Sequence, residues 1–259
     1  MDLFKAEFTS LSVDYFDSIS STSQFLKHKA KTQLEPSLCV ADIQTNGYGQ
    51  RSSNWESDQG SITFSLLLPV RYSIDQMYGF SQLLALSVKD CLELYSDQNY
   101  KVKWPNDVYL AESKVAGVLV EVVSQTNNLC WLIIGVGVNT GDFNRQFREY
   151  SAKGVPLNKK YNKHALTVQL AQGLIDTVSK YHPEVWSSKK DAWRDSDFFR
   201  LHETVCLKHE SFDIGYYLGV SDSGSLLIQD AKDETSKGTI EITAGQVSVR
   251  KIKDRLWIG

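Results

Sequence analysis

Residues 103–140 read KWPNDVYLAESKVAGVLVEVVSQTNNLCWLIIGVGVNT, and two nearly unbroken apolar runs within them, Val115 to Val123 and Leu129 to Val138, set the architecture. Both runs are rich in β-branched residues, as central strands are, so each is expected to be buried on both faces. The polar residues Gln125-Thr126-Asn127-Asn128 between them are turn chemistry, and the pair is expected to close as a hairpin. Ahead of the first run stands Lys103-Trp104-Pro105-Asn106-Asp107, with Lys114 further on. Pro105 fixes a turn, and its neighbours offer a cation, a stacking face, an amide and a carboxylate side by side. Such density suits a ligand site, although a solvated loop around a buried tryptophan has the same composition. The second run ends in Gly135-Val136-Gly137-Val138-Asn139-Thr140. Glycines two apart share one face of a strand and leave it bare, so a flat ligand or a crossing backbone can lie there. It is no dinucleotide fingerprint, because Thr140 stands where the third glycine would be.

Toward the N-terminus, Cys39 to Gln44 and Ser61 to Val70 read as strands joined by a polar loop, Thr45 to Gly60. A connection of about 15 residues exceeds the usual length and points to function. Inside it, Gly47-Tyr48-Gly49-Gln50-Arg51 combines glycines that admit an anion close to the backbone with a guanidinium that can bind one. A glycine-rich surface turn accounts for the cluster equally well, and it is no Walker loop, since no Gly-Lys-Ser/Thr ends it. Upstream, hydroxyl residues at Ser21 and Thr22 suit an N-cap, so a short helix is expected over residues 21–30. Phe80, Leu83, Leu84, Val88, Cys91 and Tyr95 form a helical stripe that reads as core, as do Leu170, Leu174, Ile175, Val178 and Tyr181. The second stripe follows a polar stretch, Gly141 to Asn162, expected to be mobile. From about residue 200 the chain turns to short alternating strands with turns at Ser221 to Gly224 and Ala244-Gly245, an all-β unit of roughly 60 residues.

Composition narrows the class. With 259 residues, 42% of them hydrophobic, the chain can bury a sizeable core and a pocket. Its net charge of −3 supplies no basic field for nucleic acid. Cys39, Cys91, Cys130 and Cys206 lie far apart with no C-x-x-C spacing, as expected of buried reduced thiols. MDLFKAEF has no basic region followed by an apolar core, and no apolar run approaches the ~20 residues of a membrane helix, so a cytoplasmic location is expected.

In this order and spacing the clusters resemble the biotin protein ligase family, whose usual pattern runs S-T-N, G-R-G-R-x-G-R-x-W, K-W-P-N-D, a later lysine and G-x-G-x-N. The resemblance spans essentially the whole chain, through Ser21-Thr22-Ser23, Gly47 to Trp55, Lys103 to Asp107, Lys114 to Gly117, Gly135 to Asn139, and C-terminal Gly219-Val220, Gly224 and Val247-Ser248-Val249-Arg250. It implies an α+β fold: residues 1–198 as a biotin/lipoate ligase-like catalytic domain related to class II aminoacyl-tRNA synthetases, and 199–259 as a small SH3-like β-barrel. Biotin and ATP with Mg2+ are implied as substrates, with no tightly bound prosthetic group. Biotin carboxylate would attack the α-phosphate to give biotinoyl-AMP, and a lysine of a biotin carboxyl carrier protein would then take the biotinoyl group. Neither nucleic acid nor membrane is implied as a partner, and the chain is expected as a monomer or homodimer.

The resemblance also implies roles. Lys114, Arg51 and Asp107 are the catalytic candidates, with Asp107 left two roles, holding magnesium or orienting the attacking lysine. Biotin would be held by Ser21, Thr22, Ser23, Gln44, Gly47, Tyr48, Gly49, Gln50, Lys114, Gly117, Gly135 and Gly137. The nucleotide would be held by Arg51, Trp55, Lys103, Trp104, Asn106 and Asn139, with an indole stacked on adenine. The chain departs from the pattern where Tyr48, Gln50, Ser52 and Ser53 replace Arg, Arg, Gly and Arg, and Ser23 replaces Asn. A loop left with Arg51 alone is expected to clamp the adenylate less tightly, so that it escapes onto stray lysines. Lipoate or octanoate ligases share the fold, but their R-R-x-S-G-G-G run is absent. A biotin-responsive DNA-binding repressor is disfavoured, because the roughly twenty residues before Ser21 are too few for a helix-turn-helix. Retention of Lys103, Asn106, Asp107 and Lys114 argues against a binding module without catalysis.

Overall fold

The computed structural model describes residues 2–147, 150–156, 162–208, 212–231 and 238–252. In chain order the elements are α1 (Asp2–Glu7), β1 (Ser12–Ile19), α2 (Thr22–Lys29), β2 (Ser37–Gln44), β3 (Gly47–Tyr48), β4 (Asn54–Trp55), β5 (Ile62–Val70), α3 (Phe80–Glu93), β6 (Tyr100–Lys103), β7 (Asp107–Leu110), β8 (Ser113–Thr126), β9 (Leu129–Val138), β10 (Asn144–Gln146), β11 (Ser151–Lys153), α4 (Lys163–Ser179) and α5 (Val185–Ser196). Five further strands follow: β12 (Thr204–Lys208), β13 (Phe212–Val220), β14 (Leu226–Asp230), β15 (Thr239–Ile242) and β16 (Ser248–Lys251). The large sheet runs β1-β2-β5-β9-β8-β11-β10, with β6 and β7 attached beside β8. Pairing is parallel in β1–β2 and β8–β11 and antiparallel elsewhere.

Alternation along the central strands sends side chains to two covered faces. Val40, Leu66 and Leu68 join α3 and α4 in one core, while Cys39, Leu67 and Ile133 meet Leu26 of α2 on the other. Helix α2 is short and covers only part of its face, which leaves the sheet open where β8 and β9 carry glycine. Two sequence expectations change here. The run Val115 to Val123 is not buried throughout: past Val118, β8 pairs with β9 alone, and Val122 is 46% exposed. The long loop is not irregular throughout, since Gly47–Tyr48 and Asn54–Trp55 pair as a two-stranded ribbon. The hairpin β8–β9 turns at Asn127-Asn128 as expected, and the expected helices stand as α2, α3 and α4. Of the polar stretch Gly141 to Asn162, residues 148–149 and 157–161 lie outside the described residues, and the rest supplies β10 and β11. The elements α1, β1 and α5 were not read from sequence.

The C-terminal strands form a separate antiparallel sheet, β15-β14-β13-β12-β16. Its turn at residues 221–225 plugs into the α3 end of the larger unit. Gly224 O accepts from Gln82 Nε2 at 2.8 Å and from Trp104 Nε1 at 3.1 Å, and Ser221 O accepts from Trp186 Nε1 at 3.0 Å. Gly224 has φ +86°, and a Cβ there would stand 2.6 Å from Gly79 N. Cys39, Cys91 and Cys130 are buried thiols and Cys206 is partly exposed. No helix of the described residues is long and apolar enough to cross a membrane.

Candidate active site

The uncovered part of the α2 face is a cavity of about 370 Å³. Strand register builds its floor: Lys103 lies opposite Asp107, Asp107 opposite Gly117, Gly117 opposite Gly137, and Gly137 opposite Thr63. A cation and a carboxylate therefore sit beside two glycines in one row across four strands. The next row sets Gly135 between Leu119 and Ser65. The N-terminus of α2 forms one wall, the ribbon β3–β4 the roof, and Val247 to Arg250 of the C-terminal sheet closes the far side.

The α2 end is a chain of neutral hydrogen-bonding groups. Ser21 caps the helix by accepting from Gln24 N at 3.4 Å. Gln44 Oε1 accepts from Thr22 N at 2.9 Å and Thr22 Oγ1 at 3.2 Å. Ser65 Oγ joins Thr22 Oγ1 at 2.7 Å and Ser23 Oγ at 2.9 Å. With the Thr22 proton given to Gln44, the remaining protons run from Ser23 to Ser65 to Thr22, which leaves Ser23 an acceptor at the end of the chain. A Cβ on residue 135 would stand 2.7 Å from Ser23 Oγ, so glycine there makes room for this wall.

The opposite end is charged. Lys114 Nζ pairs with Asp107 Oδ1 at 2.6 Å, and both side chains keep some exposure to the cavity. The ammonium lies 5.6 Å from the Trp55 ring centroid and 5.8 Å from that of Tyr150. Lys103 donates to Tyr109 Oη at 3.4 Å and faces its ring. Burial lowers the Lys103 ammonium to about 8 against the pull of Asp107, with Arg250 and Lys114 nearby adding to the fall. Asn106 turns its Nδ2 to Val118 O, which pins the Asn106-Asp107 turn to β8. Trp104 is buried with its indole N–H committed to Gly224, a tie to the C-terminal sheet.

All but two of the candidate catalytic, biotin-binding and nucleotide-binding residues line this cavity. The exceptions are Gly47, packed against Trp55, and Asn139, which is buried with Oδ1 lacking a partner. The bare face at Gly137 is filled by protein: a Cβ there would overlap the Trp55 indole, whose Nε1 is buried without a partner. Arg51, with φ +55°, is exposed at the ribbon tip and donates from Nε to Gly245 O at 2.9 Å. Sequence reading missed Phe64, Ser65, Tyr109, Tyr150 and Lys208. The signal for Ser65 was a polar residue inside an apolar strand; the others carried none.

A nine-stranded mixed sheet with a polar cleft on its open face, walled on one side by a small antiparallel sheet, defines the class. The model of the biotin/lipoate A/B protein ligase family matches residues 15–139. The bifunctional ligase/repressor BirA of Bacillus subtilis is 30% identical over 245 residues, covering 91% of this chain and 73% of the relative. Its Salmonella typhimurium counterpart is 25% identical over 239 residues, covering 88% and 72%. Among solved structures, a biotin protein ligase from Aquifex aeolicus in complex with biotin and ATP superposes with a TM-score of 0.73 at 27% identity, covering 93% of this chain and 99% of that one. The chain belongs to the biotin protein ligase family.

Proposed function

We propose that the chain activates biotin with MgATP and transfers the biotinoyl group to a lysine of a biotin carboxyl carrier protein. Two anions must meet in the first half-reaction, and the observation that carries the reading is the Lys114–Asp107 pair, 2.6 Å apart between a neutral hydrogen-bonding end and a cationic one. The Thr22–Gln44–Ser65–Ser23 chain suits the ureido group of biotin, which both donates and accepts. Asp107 holds the Lys114 ammonium over Gly117, whose missing Cβ would stand 3.0 Å from Nζ. There the cation offsets repulsion between the biotin carboxylate and the α-phosphate. The carboxylate oxygen bonds to the α-phosphorus as the bond to pyrophosphate breaks; the carrier amine then attacks the acyl carbon, and AMP leaves.

Lys103, Asn106 and Trp55 are assigned to the nucleotide. Magnesium would enter with ATP and offset phosphate charge there, and Asp107, a carboxylate that lines the cavity, would hold it. We assign residues 1–198 to the catalytic unit and 199–259 to the barrel, a division supported by the two separate sheets. The test is pyrophosphate release with biotin, lipoate or octanoate. Release with biotin alone, lowered about a hundredfold or more in Lys114→Ala, is expected. Equal release with lipoate or octanoate would move the chain to the other branch of the family, and biotin binding without release would leave a binding module.

A further inference from the structure

The ribbon β3–β4 joins no larger sheet, and a two-stranded ribbon by itself is marginal in water. Side chains must therefore hold it over the cavity. Trp55 rests on Gly137 and Arg51 reaches Gly245 at the tip. Tyr48 extends to β8 and donates from Oη to Glu121 Oε2 at 2.8 Å. The other oxygen, Oε1, accepts from Lys27 Nζ of α2 at 2.6 Å, and the same ammonium stands 5.2 Å from the Tyr48 ring centroid.

Neither Glu121 nor Lys27 lines the cavity. Glu121 is the one ionisable residue in the apolar run Val115 to Val123, and its side chain is 22% exposed. A carboxylate so placed pays a desolvation cost unless both oxygens are satisfied, as they are here. Its two partners come from elements that carry cavity groups: α2, with Thr22 and Ser23, and the ribbon, with Trp55. Burial pushes the Tyr48 phenol up and the Glu121 carboxylate adds to the rise, so the hydroxyl remains a donor. Burial works to lower Lys27, but hydrogen bonds to Glu121 and Tyr48 hold it above its ordinary value. The tyrosine that departs from the family pattern thereby acquires a role.

We infer that the Tyr48–Glu121–Lys27 clasp closes the ribbon onto the cavity before any ligand binds, and that Glu121, touching no substrate, is a positioning residue for the adenylate formed there. The second half rests on the ligase reading; the clasp does not. Arg51 is the sole lysine or arginine between Thr45 and Gly60, so tryptic cleavage after it in the ligand-free chain reports opening of the ribbon. Loss of one hydrogen bond of this kind corresponds to about fivefold in that opening. Glu121→Gln, Lys27→Met and Tyr48→Phe are each expected to raise cleavage about fivefold, with Y48F/E121Q no worse than E121Q alone because the two remove one shared bond. E121Q keeps the single-turnover rate of pyrophosphate release at saturating biotin and ATP within about twofold, while the KM for biotin and the escape rate of biotinoyl-AMP each rise about fivefold. Wild-type cleavage in folded E121Q and Lys27→Met would overturn the clasp, and raised cleavage with unchanged adenylate escape would overturn the positioning role. If the wild-type chain releases no pyrophosphate with biotin, the ligase reading and the positioning role fall together, and cleavage alone decides the clasp.

Discussion

Two single residues carry sharp consequences. With its ammonium lowered to about 8, Lys103 is charged below that pH and neutral above it. Phosphate binding favours the charged form, so ATP affinity is expected to hold below pH 8 and to weaken above it, by up to about tenfold per pH unit. Lys103→Met should bind ATP more weakly at neutral pH and show no such limb, and a calorimetric titration in which the two proteins share one pH profile would remove Lys103 from the nucleotide site. Gly137 is the other case. Its place on the sheet is filled by the Trp55 indole, which a methyl group would displace. Gly137→Ala is expected to lower unfolding stability by about 1–3 kcal/mol, the usual cost of overpacking. An unshifted urea midpoint would show that the Trp55 indole moves aside without cost.

At the scale of elements, the ribbon and the C-terminal turn decide the shape of the cleft. A loop with Arg51 alone is expected to grip the adenylate less directly, while the Tyr48–Glu121 bond resists opening, so the two would act in opposite directions. Biotinylation of a bystander protein at saturating biotin and ATP is expected to be measurable for the wild-type chain and to rise about fivefold in E121Q. Bystander labelling that is absent from both would refute the loose-grip expectation. The turn at residues 221–225 presents a different constraint. At Gly224 a side chain would meet both a left-handed backbone and the amide of Gly79, and the Gly224 carbonyl anchors Trp104 next to Lys103. Gly224→Ala should lower unfolding stability by about 1–3 kcal/mol in urea titrations, and an unshifted midpoint would mean that the two sheets do not depend on this plug.

For the whole molecule, the seam between the two sheets carries a pH dependence. Asp197 bridges to β6 through the Val102 backbone, accepts from Phe199 N at 3.0 Å and from the Tyr217 hydroxyl of β13. Burial raises its carboxyl from 3.8 to about 7, against hydrogen bonds from Tyr217 and Phe199 that favour ionisation. The folded chain thus holds its proton at a pH where the unfolded chain has released it. The stability gained is full below about pH 4 and lost as pH rises toward 7, on the order of a few kcal/mol. Asp197→Asn, neutral at every pH, should flatten that fall in chemical unfolding between pH 4 and 7; an unaltered slope would place the titrating group elsewhere.

The strands and helices at the sheet's centre and the order of the site motifs are legible in the sequence, because strand pattern, helix period and glycine spacing are local properties. Lys103 to Asp107, Lys114 and the glycine pair were legible for the same reason. The rest depends on contacts between residues far apart in the chain. Tyr48 and Glu121 are 73 residues apart, Trp104 and Gly224 are 120 apart, and Arg51 and Gly245 are 194 apart. No local pattern announces that a tyrosine will meet a carboxylate across a sheet, that Trp55 will fill the bare face at Gly137, or that β8 will lose its second neighbour halfway along. Those outcomes follow from strand register and from where a short helix stops covering the sheet, and both are set by the packing of the whole chain.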